Sequence, residues 1–420
     1  MIFDKASVLI RDKNKRNFFI YGVGQAFNLL SPLVIAPYII LVCGTEGFGK
    51  IGLGFAMALF LILIVDYAFE IKGIKSVAEN RNRPEVLQKI LNTTIATKLT
   101  LFFAALIVAS LVIFTVPFFS NEKPLFFCSM TIVLAQVFNT VWFLQGLERF
   151  VLASFLNIGS KTLYVLLVLT LIKLPDDYIW VNLFLGISTL MFNLTVLAII
   201  IFQNGINYQK TLISEILAIL KNDFAFCMSQ LTLSVRQLSP LFLVSYFLGF
   251  HTAGLYKILE QILTFFRTFI QVFLKFFFPR ACYKFLGDIS GGMIYWKKYS
   301  LLNLIMVAAG VAIVLIFTNE ILLFFNVSTR TAAMLKPVFQ LSLIISLLMS
   351  ISLPLEQLMF LINKNKIYIR ITIFVTVINV AIILLTIKNQ ELYGILISLG
   401  VAELLFISFY AINANNPKRL

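Results

Sequence analysis

Five basic residues, Lys98, Lys161, Arg236, Lys257 and Arg267, fall inside long apolar segments of this chain rather than between them. A charge at the centre of a membrane helix costs at least about 2.5 kcal/mol on insertion scales, so it demands a partner or a hydrated cavity. Lys98 and Lys257 stand near segment ends, from where a long side chain can snorkel to water. Lys161, Arg236 and Arg267 stand deeper, close to the middle of their segments. Ammonium and guanidinium groups hold phosphate oxygens through charge-assisted hydrogen bonds, Arg in a bidentate manner. The chemistry these three suit is recognition of an amphipathic anion whose phosphate docks on them.

Polar residues accompany them at helical spacing. Lys257, Glu260, Gln261, Thr264, Arg267, Thr268, Gln271 and Lys275 recur at three- and four-residue steps, which places them on one helix face opposite Phe, Ile, Leu and Val. Shorter stripes are Gln25, Asn28 and Ser31; Gln136 and Asn139; Asn157, Lys161 and Tyr164; and Gln230, Leu233, Arg236, Gln237 and Pro240. Such stripes line a cavity or bridge neighbouring helices, where each hydrogen bond contributes about 0.6 kcal/mol. The expected cavity residues are Lys161, Arg236, Arg267, Lys257, Gln271, Gln25 and Asn28.

Few acids lie at similar depth. Glu403 is the deepest, and with Glu260 and Asp66 it forms the set of candidates for ion coupling. Glu260 also has a simple structural explanation, pairing with Lys257 at i, i+3. Asp66 and Glu70 have one too, an interfacial cluster with Lys72 and Lys75, and Glu356 is near enough to a span end to reach water. One histidine, His251, excludes any site needing several imidazoles, and it reads as a solvated turn residue. Cys43, Cys128, Cys227 and Cys282 have no CxxC spacing, so no metal site, cofactor or disulfide framework is expected.

The elements that must position these residues follow from composition. Of 420 residues 60% are hydrophobic and 13% charged, about half the charged share of a soluble domain. The apolar residues form blocks near the length of about 20 that a helix needs to cross the hydrocarbon core. Lipid leaves an isolated strand's backbone unsatisfied, so the blocks are helices. Charged and Pro/Gly/Asn-rich breaks divide them into about twelve spans: 18–43, 47–69, 95–118, 124–145, 150–173, 178–202, 223–248, 253–279, 300–325, 336–362, 367–387 and 392–413. The fold class expected is all-α and polytopic.

Charge gives the orientation. With the N-terminus in the cytoplasm, 23 of the 34 Lys and Arg lie on the inner side, 6 on the outer side and 5 within spans. That asymmetry places both termini inside. Most of the net charge of +15 is therefore a topology signal, and no nucleic-acid partner is needed to explain it. The basic N-terminal stretch precedes a span too long for a signal peptide, so it reads as a retained first helix.

Loops are short, and no soluble domain is inserted. The trace divides into six spans over 1–203, a polar cytoplasmic linker over 204–222 and six spans over 223–420. Gly44-Thr45-Glu46-Gly47-Phe48-Gly49 is echoed by Gly249-Phe250-His251-Thr252-Ala253-Gly254, each joining the first two spans of its half. Two six-helix repeats of this kind are common in secondary transporters.

Three segments resemble the polysaccharide-transport flippases, of the O-antigen type, within the multidrug/oligosaccharidyl-lipid/polysaccharide exporter superfamily. Gly44 to Gly49 is similar to that family's glycine-bearing turn. Asp66-Tyr67-Ala68-Phe69 is similar to its acidic-glycine-aromatic motif, with Tyr67 or Ala68 where glycine is expected. Trp142-Phe143-Leu144-Gln145-Gly146-Leu147-Glu148-Arg149 is similar to its tryptophan-aromatic-Gln-Gly-x-Glu signature and is the most specific of the three.

The resemblance implies two six-helix bundles forming a V in a bacterial inner membrane. It implies movement of an undecaprenyl-diphosphate-linked oligosaccharide from the cytoplasmic to the periplasmic leaflet by alternating access, coupled to a cation gradient. It further implies membrane lipids, a polysaccharide polymerase and a chain-length regulator as partners, and no enzymatic activity. A multidrug exporter on the same scaffold is the alternative, which the basic excess weighs against. A membrane polymerase is disfavoured because the outer loops hold only scattered acids.

Overall fold

The computed structural model describes residues 13–67, 69–205, 209 and 211–414. The described residues are almost wholly helical and contain no strand. In chain order the helices are α1 (Lys13–Asp66), α2 (Ile74–Glu79), α3 (Pro84–Thr115), α4 (Pro117–Ser120), α5 (Lys123–Val137), α6 (Val141–Gly146), α7 (Phe150–Leu171), α8 (Tyr178–Asn204), α9 (Ile213–Gly287), α10 (Ile289–Ile316), α11 (Thr318–Phe324), α12 (Thr329–Leu361) and α13 (Asn365–Ala414). A π-helical turn at Phe69–Gly73 precedes α2. Among the described residues nine helical stretches are long and apolar enough to cross a membrane.

Three of the long helices are broken rather than continuous. The backbone turns at Gly44 in α1 (φ 72°), at Gly249 in α9 (φ 83°) and at Glu391 in α13 (φ 48°). Each break falls where the sequence places a loop between adjacent spans, so each of these three helices carries two of the expected apolar blocks. Glycine serves the first two breaks because positive φ is open to it without steric penalty.

The chain separates into two compact units. Unit 1 comprises Met1–Gly44 and Leu53–Leu231, and unit 2 comprises Thr45–Gly52 and Thr232–Leu420. In unit 1 a core of Val77, Leu87, Leu91, Trp142, Phe143, Leu144, Ala153, Leu156, Val196, Leu197 and Ile200 joins α2, α3, α6, α7 and α8. The turn before α8 is fixed by Asp177, whose carboxylate accepts from the backbone N–H groups of Lys173 and Leu174 at 2.8 and 2.7 Å. Those two donors hold the Asp177 carboxyl below its usual range.

In unit 2, α12 packs along α13 and α10. Pro354 lies inside α12, where it cannot donate to the carbonyl of Ser350. Asn303, fully buried on α10, donates to that carbonyl at 3.2 Å instead. The freed acceptor is thus satisfied without water, as a membrane interior requires.

The echoed glycine turns also meet within unit 2, and their packing explains the echo. Gly44 and Gly249 provide the breaks, and the glycine five positions later provides close approach. A Cβ on Gly49 would lie 2.1 Å from the carbonyl oxygen of Phe250, and one on Gly254 would lie 1.9 Å from that of Thr45. The contact is reciprocal, since Thr45 and Phe250 each directly follow a break glycine. Thr45 Oγ1 and His251 Nδ1 add a hydrogen bond of 2.7 Å across it, so His251, exposed at the turn as expected, also has a specific partner. Gly254→Ala is expected to separate the two backbones and to lower thermal stability far more than Gly400→Ala, where a Cβ meets nothing within 4 Å. Thermal unfolding of the two purified variants compares them directly.

Candidate functional site

The polar residues of unit 2 converge from three helices. Arg236 and Arg267 come from the two arms of α9, Ser352 and Glu356 from α12, and Tyr368, Glu403, Phe406 and Tyr410 from α13. The Arg236 guanidinium lies over the Phe406 ring, 4.6 Å from its centroid, and 4.0 Å from the Glu403 carboxylate. Ser352 donates a short hydrogen bond to the other oxygen of Glu403. Tyr368 donates to Glu356 at 3.1 Å, and the Tyr368 and Tyr410 rings stack with centroids 6.1 Å apart. Arg267 is close enough to feel both the Arg236 and the Glu403 charges, yet among the described residues it makes no hydrogen bond or ion pair.

One end of this cluster is self-neutralised. Lys257 donates to Glu260 at 2.6 Å, so the i, i+3 pairing holds. Gly52 lies beside the Lys257 stem, where a Cβ would come within 3.2 Å. Further along the same face Thr264, Gln271 and Lys275 are exposed. Residues 257–275 do lie on one helical arm, but the members of the expected stripe differ: a closed ion pair, an arginine with no hydrogen bond or ion pair among the described residues, and an open polar edge.

Glu356 was the residue whose surroundings spacing could not reveal. Its position near the end of a span suggests contact with water, but it is partly buried and turned into the arginine cluster, where Arg236, Glu403 and Arg267 are its charged neighbours. With it, unit 2 sets three carboxylates, Glu260, Glu356 and Glu403, against three cations, Lys257, Arg236 and Arg267. Among these six groups positive charge is balanced rather than in excess.

In unit 1 the expected cavity cation is Lys161 on α7. It is partly buried on a helix face with the buried Asn157, Ser160 and Tyr164, and among the described residues it has no hydrogen bond or ion pair. Asn28 is partly buried, and the side chain of Gln25 lies outside the described residues.

Lys98 and Asp66 depart from the simplest reading. Lys98 is fully buried and does not snorkel; its ammonium lies 2.6 Å from Asp66. The second Asp66 oxygen accepts from Gln136 Nε2 at 2.6 Å, and Gln136 Oε1 accepts from Asn139 at 3.1 Å. Asp66 thus pairs with Lys98 rather than with the boundary lysines expected around it, of which Lys72 pairs with Asp223 and Lys75 with Glu79. Tertiary packing brings α3 and α5 to Asp66, and a desolvated carboxylate gains more from partners of matching depth than from lysines at the water boundary.

This network continues into the two motif segments. Tyr67, where the resemblance leads one to expect glycine, has φ 52°. A tyrosine is held in that unfavoured region by burial against Phe69 and Cys227 and by donation to the Leu220 carbonyl at 2.6 Å. Trp142 donates to the Asn139 carbonyl at 3.0 Å and packs on Gly73, where a Cβ would lie 2.7 Å from its ring. Gly146 ends α6 against Val77, Arg81 Nε donates to its carbonyl at 2.6 Å, and Arg81 pairs with Glu148 at 2.9 Å. The Trp-to-Arg segment is thus a docking element between the ends of two hairpins.

A separate cavity of about 280 Å³ in unit 1 is lined by Lys89, Asn92, Thr93, Gln209, Thr211, Leu212 and Glu215. Lys89 and the Leu212 N–H hold the Glu215 carboxyl below its usual range, and none of the expected site residues borders it. No cluster of three or more potential metal ligands occurs among the described residues.

Comparison with known proteins places these features in context. Residues 15–282 match the family model described as polysaccharide biosynthesis protein. A protein of Escherichia coli (strain K12) named "Putative O-antigen transporter" is 21% identical over 393 residues, covering 94% of this chain and 89% of that protein. One of the same name from Shigella dysenteriae is 22% identical over 404 residues, covering 94% and 98%. Among solved structures, the lipid II flippase MurJ in an inward closed conformation aligns with a TM-score of 0.73 at 12% identity, over 94% of this chain and 87% of that one. An inward-facing MATE multidrug resistance transporter aligns with a TM-score of 0.62 at 13% identity, over 97% and 99%. At these identities the structural likeness establishes the fold.

Proposed function

Because the chain belongs to the polysaccharide biosynthesis protein family, we propose that it is a flippase for a lipid-linked oligosaccharide, and that Arg236 and Arg267 receive the diphosphate of its carrier lipid. The observation that carries this reading is Arg267, a guanidinium on a membrane helix that makes no hydrogen bond or ion pair among the described residues and lies close enough to Arg236 to feel its charge. Two like charges brought together in low dielectric repel one another, and an anion between them relieves that repulsion. The relatives named as O-antigen transporters and the MurJ fold support the substrate class. Lys161, which makes no hydrogen bond or ion pair among the described residues, is assigned the same kind of ligand on its own evidence.

The chain crosses a bacterial inner membrane about twelve times with both termini cytoplasmic, and the substrate is an undecaprenyl-diphosphate-linked repeat unit of a surface polysaccharide. Alternating access moves it outward, driven by a cation gradient, and a polysaccharide polymerase and chain-length regulator act on the delivered product. Ligand binding drives such a cycle only through different affinities in the two states.

A multidrug exporter is the second reading, favoured by three carboxylates and the Phe406, Tyr368 and Tyr410 rings of unit 2. Each carboxylate, however, already has a partner in Lys257, Tyr368 or Ser352, whereas Arg267 has none among the described residues. The site is thus prepared for an anion. In cells lacking this protein and any redundant flippase, lipid-linked oligosaccharide is expected to accumulate on the cytoplasmic leaflet while surface polysaccharide disappears. Complementation with Lys161→Glu should fail despite normal membrane levels. Unchanged surface polysaccharide in the deletion would sink the proposal.

A further inference from the structure

Glu356 and Glu403 have no part in the anion docking just described, yet they share its arginines. Within unit 2, Glu260 is matched by Lys257 at 2.6 Å, so that pair leaves the ledger of charge. What remains is two carboxylates facing two guanidiniums. Glu403 lies 4.0 Å from Arg236 and accepts from Ser352; Glu356 accepts from Tyr368 and feels Arg236, Arg267, Glu403 and, through the stacked ring, Tyr410. Empty, the group is neutral.

A bound diphosphate changes that balance. If it occupies Arg236 and Arg267, it takes away the counter-charge of both carboxylates and adds negative charge beside them. Removing one partner of a buried ion pair leaves an uncompensated charge, and in low dielectric the usual escape is neutralisation. The groups able to accept a proton there are the two carboxylates, because Tyr368, Tyr410 and Ser352 are already in their protonated forms and the guanidiniums are always charged.

We propose that the Glu356–Glu403 pair is a proton site whose occupancy is linked to the anionic ligand: as a diphosphate binds Arg236 and Arg267, the pair takes up a proton from solvent. This inference rests on the assignment of the arginines to the carrier diphosphate. No bond other than the carboxyl O–H is made, and the carboxylic acid so formed can donate to the bound anion. Tyr368 and Ser352 are positioned to orient whichever carboxyl stays ionised. By linkage, a ligand that promotes proton uptake must bind more tightly as pH falls, and the proton must equally favour the ligand. The loaded site carries less net charge than the anion alone would give it, which lowers the penalty of moving it through the membrane interior.

The test uses the full-length protein purified in detergent, with farnesyl diphosphate as the probe. Calorimetric titration at pH 7 in buffers of different ionisation enthalpy reports the protons exchanged on binding. About one proton taken up per ligand is expected for the natural sequence. The Glu356→Gln and Glu403→Gln variants should keep binding and lose most of that uptake together. The difference between variant and natural protein removes the ligand's own protonation from the comparison. A second readout needs no variant: a short alkyl disulfonate, whose charge is fixed between pH 6 and 8, should bind the natural protein up to tenfold more tightly for each unit of pH decrease. Binding with no proton uptake, uptake unchanged in the variants, or pH-independent disulfonate binding each overturns the proton site and leaves the arginine assignment standing. Failure of farnesyl diphosphate to bind any form overturns both.

Discussion

Arg267→Gln is expected to weaken binding of a polyprenyl diphosphate by ten- to hundredfold and to reduce surface polysaccharide correspondingly, with little loss of protein from the membrane. Arg267 is the sharper probe of the pair because among the described residues it makes no hydrogen bond or ion pair, so its removal breaks no direct contact. A hydrogen bond to a charged group contributes about 1.5–3 kcal/mol, and each 1.4 kcal/mol is a factor of ten in affinity. Arg236→Gln removes the counter-charge of Glu403 and the contact with Phe406 as well, so it should also lower stability. Arg267→Lys, which keeps the charge and loses the bidentate fork, should fall between. Full affinity and full transport in Arg267→Gln would show that the arginine has another role.

Single substitutions at Asp66 or Lys98 should be the most destabilising changes of charge in unit 1. Both groups are buried, and the carboxylate is bonded by Lys98 on one oxygen and Gln136 on the other. Breaking such a pair from one side costs about 3–5 kcal/mol, because the remaining charge stays buried alone. Lys98→Met or Asp66→Leu should therefore fail to accumulate, or unfold at much lower temperature in detergent. The double variant, with both charges gone, should regain most of that loss. Thermal unfolding of the four proteins measures the coupling, and additive effects of the two single changes would refute it. Asp66 also adjoins the break at Tyr67, so the ion pair holds the start of the π-helical turn on which Trp142 docks. That gives the acidic and tryptophan motifs one shared structural purpose.

How far the sequence reaches depends on the range of the interaction involved. Helical class and membrane residence are legible in the apolar blocks, because a bilayer imposes both a length and an internally satisfied backbone. The breaks at Gly44 and Gly249 are legible as an internal echo, and so is the polar face of residues 257–275, since three- and four-residue spacing is a local property of any helix. The Lys257–Glu260 pair is likewise one turn long.

Everything that joined distant segments had to wait for the fold. Lys98 reads as a snorkelling end residue until α3 and α1 are placed side by side, when it becomes the buried partner of Asp66. Glu356 reads as a residue near water until Tyr368 and the two arginines are set around it. The five-residue offset from Gly44 to Gly49 and from Gly249 to Gly254 gains its meaning when each second glycine is pressed onto the other turn's backbone. Composition and periodicity alone determine that this chain is a bundle of membrane helices carrying a few deep cations. Tertiary structure alone decides which cations are neutralised and which stay open to a ligand, because charges compensate one another by distance in space.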